Sequence, residues 1–435
     1  MRTLLGGVDA FHLVNDRVMI RRGIPGNHCI FAVTVEGRID VPALTRRLEI
    51  AVARLPELRS RLVWTFSGPA WEEAPPPPTE IHVRPVPAGG MDTALAQLVD
   101  HRVDGDRPWA ATLLRAPDAD VFAWHWFHPL TDAKGAERFV TWLGSTDNNP
   151  EGSPERAADA PPEPPPPDKR RDSASRPLAK LDRKERLRLT RAYGDHMLRH
   201  ARTPIVSLAT LAGPLGGTRI LRIRLTEDET RAFDRRVRER AKLAETSAMV
   251  LASTRVLDAI LRSRGLSPPQ HLVPVPLSLD PKAGARRMFG NNLTMMTFAL
   301  DREALAHTPR AVASLADQQR AIVREKLDTG MLASLDFAKV VPSAPYHWFL
   351  TRPFRGEVSS FIFSNPGPVA LTTFMGAPVR DALAVPSVAT PPGFQVIFSR
   401  HAGRLSAVIG YLEGTVWPAE ERTLTAQLHT ELLAF

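Results

Sequence analysis

Short apolar runs separated by longer periodic segments set the rhythm of the first third of the chain. His28–Glu36 and the runs 81–86, 110–114 and 121–127 are rich in β-branched and aromatic residues and read as strands. Between the first two the period changes to 3.6 residues. Leu44, Leu48, Val52 and Leu55 fall on one face behind the opening Asp40-Val-Pro, which predicts a helix. A second helical segment covers 132–143. Residues 154–177 carry Pro-Pro-Glu-Pro-Pro-Pro-Pro and few apolar positions, the composition of an extended linker. Beyond it Leu221, Ile223 and Leu225 alternate with Arg222 and Arg224, a half-buried strand, and Thr226-Glu-Asp-Glu229 forms a capping box for the next helix. A helix over 246–263, several strands and a final helix over 418–433 complete the pattern. It predicts an α/β protein of two successive lobes: 1–150, a Pro-rich basic linker over 151–180, and 181–435.

Composition agrees. With 435 residues, 43% of them hydrophobic and 24% charged, the chain can build two cores. Its one cysteine, Cys29, lies in the apolar strand Cys29-Ile-Phe-Ala-Val-Thr-Val35 with nothing cationic beside it. That fits a buried thiol in a reducing compartment rather than a nucleophile. The first residues carry no sustained apolar stretch, and no run approaches the roughly 18 apolar residues of a membrane span. A cytoplasmic protein is expected.

Charge is concentrated. Between Asp168 and Arg202 stand 12 Lys and Arg against 5 Asp and Glu, most of the formal net +9. The apolar stretch 203–215 follows. Together, residues 168–215 suit peripheral contact with an anionic membrane, or docking of an acidic carrier protein. A solvated helix closing the linker is the plainer alternative. The basic pI near 10.1 invites nucleic acid, but no recognition motif accompanies it, and none is expected as a partner.

The chemistry concentrates in Trp124-His-Trp-Phe-His-Pro-Leu-Thr-Asp-Ala-Lys-Gly135. His128 stands where a strand ends, and Asp132 opens the helix that follows. A histidine at such a connection can meet a substrate, and its ordinary pKa near ~6.5 suits it to accept a proton at neutral pH. His125 and His128, three apart on a strand, point to opposite faces and cannot easily share one metal ion. His196 and His200 share a helical face but lack the glutamate of a metalloprotease motif. No metal is expected. Nucleophile-elbow, Walker and dinucleotide-binding signatures are missing from the sequence.

This stretch resembles the His-His-x-x-x-Asp-Gly motif of the coenzyme A-dependent acyltransferase superfamily, which embraces nonribosomal peptide condensation domains, plant alcohol acyltransferases and wax ester synthase/diacylglycerol acyltransferases. The second His and the Asp are kept as His128 and Asp132, whereas Phe127 replaces the first His and Ala133 the Gly. Other landmarks follow in the family's order: Leu55-Pro-Glu-Leu-Arg-Ser-Arg-Leu62, Arg107-Pro-Trp-Ala-Ala-Thr-Leu-Leu114, Val273-Pro-Val-Pro-Leu277, Phe289-Gly-Asn-Asn292 and Phe363-Ser-Asn-Pro-Gly-Pro368. The wax ester synthase branch's Asn-Asp pair aligns with Ser247-Ala248, and the Arg usual after the Pro-Val strand aligns with Ser278.

The resemblance implies two chloramphenicol acetyltransferase-like lobes, each a mixed sheet with helices, around an active-site channel. It implies direct transfer of an acyl group from a thioester, on coenzyme A or an acyl carrier protein, to an alcohol or amine, with ester formation favoured. His128 would be the general base and Asp132 would hold its loop. Asn292, Ser364 and Asn365 are the candidate substrate-binding donors. No cofactor beyond the thioester substrate is implied. A carrier-fed condensation enzyme, or a non-catalytic acyl- or carrier-binding relative suggested by Phe127 and Ala133, remains open.

Overall fold

The computed structural model describes residues 2–76, 78–145, 164, 176–241, 245–280 and 287–435. Most of the Pro-rich stretch, and the cations Lys169, Arg170 and Arg171 with it, lie outside these residues.

Two sheets organise the chain. The first runs in the order Thr373–Phe374, Ala377–Pro386, His28–Glu36, Ala119–Phe127, Trp109–Arg115, Ile81–Pro85. Its central pair, His28–Glu36 with Ala119–Phe127, is antiparallel, and every residue of Ala119–Phe127 is buried. A strand covered on both faces reads as continuously apolar, which explains Val121-Phe-Ala-Trp-His-Trp-Phe127. One face packs Phe31, Phe122 and Trp124 against Leu48 of helix Val41–Arg54 and Phe139 of helix Ala133–Gly144. On the other, Ala32 and Ala123 meet Leu95 and Val99 of helix Met91–Asp100, together with Ile220 and Val408 from the second half.

The second sheet contains Ile362–Ser364, Phe394–His401, Arg404–Leu412 and Thr218–Arg224, with Pro368–Val369 beside Phe394–His401. Helices Glu245–Ser263 and Pro418–Ala434 back it through Leu251, Val256, Leu424 and Leu428. The expected capping box forms: the Thr226 hydroxyl accepts from the Glu229 backbone, and the Glu229 carboxylate accepts from the Thr226 backbone.

Three features depart from the sequence pattern. The strand Ala377–Pro386 joins the first sheet beside His28–Glu36, so the last part of the chain returns to complete it. A helix over Gly7–Arg21 runs against the 336–351 segment and the loop that carries His128. The apolar run after the basic segment is only partly covered: Ile205 and Leu208 are buried, while Pro204, Leu211 and Pro214 are exposed. The basic helix Arg183–Ala201 crosses Leu327–Leu335 closely, where a Cβ on Gly330 would sit 2.4 Å from the Leu189 carbonyl oxygen.

Candidate active site

Pro129 cannot donate to a strand ladder, so the sheet pairing of Ala119–Phe127 ends there in a short 3-10 turn, His128–Leu130. Thr131 is extended, and Asp132 caps the following helix, its Oδ1 accepting from the Gly135 backbone at 2.8 Å. A carboxylate cap of this kind contributes roughly 0.5–2 kcal/mol.

The loop is fastened from the second half of the chain by residues 287–292. Gly290 donates its N–H to the Leu130 carbonyl at 2.7 Å, and Thr131 Oγ1 donates to the Met288 carbonyl at 2.8 Å. Asn291 Nδ2 donates to the His128 carbonyl at 2.9 Å and to Asp9 Oδ1 at 2.8 Å. Asp132 Oδ2 accepts from Arg287 Nη2 at 2.9 Å and from the Asn292 backbone at 3.1 Å. The buried Arg287 also donates to Asp280 at 2.9 Å and to the Gly290 carbonyl at 2.7 Å, while Arg138 reaches Asp280 from the first lobe. Two carboxylates and two guanidiniums thus lock the motif loop to the other half of the protein. Glycine is required at Gly135, where a Cβ would lie 2.1 Å from Thr131 Oγ1 and 2.7 Å from the Met288 carbonyl oxygen.

His128 is half-buried. Burial pushes its pKa below the ordinary value, opposed in part by its own backbone carbonyl, the charge of Asp132 and Asn291. Its Nδ1 is closed to solvent and makes no well-aligned hydrogen bond. The ring of His12 lies flat on that of His128, with centroids 3.6 Å apart and planes at 13°. Asn27 Nδ2 donates to His12 Nδ1 at 3.0 Å, the Asn27 carbonyl accepts from the His128 N–H at 3.1 Å, and the Asn27 N–H donates to Asp16 at 2.9 Å. His12 is itself held well below the ordinary histidine value by burial and by His128. Burial thus favours the unprotonated imidazole, the form that accepts a proton.

The neighbouring histidine serves elsewhere. His125 Nε2 and His28 Nδ1 are 2.8 Å apart in the sheet interior, and burial pushes His28 down to about 3. Cys29 is buried, and burial pushes its thiol up, which keeps it protonated. The Nε2 atoms of His196 and His200 face each other at 3.2 Å on the basic helix.

The candidate donors separate. Asn292 belongs to the ion cluster, its Nδ2 donating to Asp280 Oδ1 at 2.7 Å. Ser364 ends the strand Ile362–Ser364, and Asn365 Oδ1 accepts from the Gly367 N–H at 3.1 Å, a turn contact. Their segment touches the motif helix at Pro368, whose carbonyl accepts from Lys134 Nζ at 2.6 Å. Phe127 is in the core of the first sheet, and Ala133 occupies the first helical position after the cap.

Sequence reasoning missed His12, Asp9, Asp280, Asn291 and Arg287. The spacing of Asp9, His12 and Asp16 is helical and was the available signal for the first two. Ser278 stands where the resemblance places the usual Arg, and no motif marked Arg287.

No family profile matches this sequence, and no curated protein matches it. Solved structures do. The first condensation domain of the calcium-dependent antibiotic synthetase, in complex with a substrate analogue, superposes with a TM-score of 0.68 at 13% identity, covering 100% of this chain and 96% of that one. Trichothecene 15-O-acetyltransferase from Fusarium sporotrichioides gives 0.68 at 15% identity, covering 100% and 95%. Wax ester synthase/diacylglycerol acyltransferase from Marinobacter aquaeolei gives 0.62 at 15% identity, covering 99% and 98%. The chain has the two-lobed fold that these condensation and acyltransferase structures share.

Proposed function

We propose that this protein is an acyltransferase in which His128 is the general base. The observation that carries the reading is an imidazole held at the end of a buried strand, on a loop bolted to the opposite half of the chain by Asp132 and Arg287. The donor is an acyl thioester on coenzyme A or a carrier protein. His128 takes the proton of an acceptor hydroxyl or amine as its heteroatom attacks the thioester carbonyl. The carbonyl re-forms as the carbon–sulfur bond breaks, and the proton passes to the departing thiolate. No covalent enzyme intermediate is required. Such positioned base catalysis contributes roughly 10²–10⁴-fold.

Two of the structural likenesses, an O-acetyltransferase and a wax ester synthase, support an alcohol over an amine acceptor. The condensation-domain likeness supports a carrier-bound donor as the second source of acyl groups. A non-catalytic acyl- or carrier-binding role, suggested by Phe127 and Ala133 in place of the motif's first His and its Gly, is the second reading.

The test mixes purified protein with acyl-coenzyme A and acyl-carrier donors across a panel of alcohols and amines, following thiol release and product mass. Acceptor-dependent thiol release with an acylated product is expected. Ligand binding with no turnover by any donor would leave the non-catalytic reading in its place. No helix among the described residues is long and apolar enough to cross a membrane.

A further inference from the structure

The helix Ser343–Thr351 contains no Asp, Glu, Lys or Arg, yet only one side of it is covered. Tyr346 packs inward with Ala10, Val14 and Val18 of the Gly7–Arg21 helix and Ala338. On its outer side Ala344 and Trp348, and Pro345 and Phe349, stand at the i, i+4 spacing that puts side chains on one face, and all four are exposed. Phe349 is 74% exposed and Trp348 55%.

Neighbouring elements extend the surface. Gly68, at the turn of the Ser60–Thr65 and Gly68–Glu73 hairpin, sits against Lys339. That brings the hairpin tip, with Trp64 and a fully exposed Phe66, beside Phe337 and the 73% exposed Val340. The guanidinium of Arg17 lies over Trp64 at 4.4 Å and that of Arg352 over Trp348 at 4.8 Å. Lys339, Arg352 and Arg355 are the Lys and Arg residues of 336–355, and Asp336, paired with Lys339, is the sole acid there. Among the described residues Phe66, Val340 and Phe349 stay largely uncovered.

We propose that this face, built from Trp64, Phe66, Phe337, Val340, Trp348 and Phe349, docks the protein on an anionic lipid surface. Exposed aromatic rings with arginines stacked on them place an apolar body and a cation at the same height, which suits the boundary between acyl chains and anionic headgroups. Phe66 stands alone on a turn, and Phe349 projects from a separate helix. Lipid accepts such independent protrusions without shape matching, whereas a protein partner must supply a socket for each. The charge is favourable for either anionic occupant, so shape decides for lipid. The docking face is thus in the body of the fold.

The test reads partitioning, not turnover, so it stands or falls separately from the acyl-transfer reading. The full chain is sedimented at low salt with vesicles of phosphatidylcholine and phosphatidylglycerol, and with phosphatidylcholine alone, while tryptophan emission is recorded. Wild type should sediment with the anionic vesicles and its emission should shift to the blue. Phe66→Ser with Phe349→Ser, both solvent-exposed and checked for an unchanged melting temperature, should weaken partitioning by about tenfold or more. Arg183→Glu with Lys184→Glu, on the basic helix, should bind as wild type. The proposal is overturned if wild type stays in the supernatant, or if the phenylalanine variant partitions normally. Detachment of the basic-helix variant alone overturns it as well. Retention of a purified acidic carrier protein by wild type but not by the phenylalanine variant, without vesicle binding, gives the face to a protein partner instead.

Discussion

The imidazole of His12 lies parallel to that of His128, 3.6 Å from centroid to centroid, with its own Nδ1 held by Asn27. This contact joins an N-terminal helix to the loop that carries the proposed base, and it closes one side of that base against water. Burial is what pushes the His128 pKa below its ordinary value, and the His12 ring is part of that burial. His12→Ala should let the His128 pKa rise toward the ordinary value near ~6.5. The unprotonated base would then be lost at higher pH, and the acid limb of kcat/KM should move upward. Histidine Hε1 resonances titrated by NMR report the same shift without any substrate. An unmoved His128 titration in His12→Ala would mean that the stack does not set its proton affinity.

The ion cluster yields a stability prediction. Asp132→Asn can keep the helix cap but removes one of the two carboxylates facing the buried Arg287. Removing one partner of a buried pair costs roughly 3–5 kcal/mol, and the low end is expected because Asp280 remains. Arg287→Ala removes the guanidinium shared by two carboxylates and the Gly290 carbonyl, and should cost more. Denaturant midpoints of the two single variants and the double variant give the coupling directly. Additive effects of Asp132→Asn and Arg287→Ala would show that the pair does not act as one unit.

Glycine at two adjoining sites should behave in opposite ways. Gly135→Ala forces a Cβ into Thr131 and the Met288 carbonyl, so it should cost roughly 1–3 kcal/mol and disturb the loop. Ala133→Gly, which restores the residue that the motif resemblance expects, should leave turnover unchanged and lower stability by about 1 kcal/mol or less. A gain in activity for Ala133→Gly would show that this departure weakens the enzyme.

Much of the fold was legible because its strands are short, apolar and sharply bounded. The central strand with its helix start at Asp132, the capping box at Thr226 and the helices near 246–263 and 418–433 all emerge within a residue or two of the pattern. The return of Ala377–Pro386 to the first sheet was not legible. Its pairing partner, His28–Glu36, lies more than three hundred residues away, and no local period encodes that choice. The same physics limits the site. His128 and Asp132 share one motif, whereas His12, Asn291 and Arg287 reach it only through tertiary packing. Ile205 and Leu208 mislead for the related reason that an apolar run by itself does not say whether the fold will cover it.

Acid should destabilise the protein early. Burial holds His12, His28, His125 and His128 below the ordinary histidine value, His28 at about 3. In the unfolded chain each takes up a proton near pH ~6.5. Below that pH the unfolded state binds more protons than the folded state, so stability is complete above it and falls as pH drops toward the folded values. Denaturant midpoints at pH 7.5 and 5.5, above most carboxylate titration, should differ, with the lower at pH 5.5. Equal midpoints would contradict neutral burial of these histidines.

The central claim is that His128 removes the acceptor's proton. The direct measurement is acceptor-dependent thiol release by wild type and His128→Ala at equal melting temperature and saturating acyl thioester, with His125→Ala as the control from the sheet interior. His128→Ala should lose roughly 10²–10⁴-fold in kcat, whereas a folded His125→Ala should stay near wild type. Near-normal turnover by a folded His128→Ala protein would contradict the account.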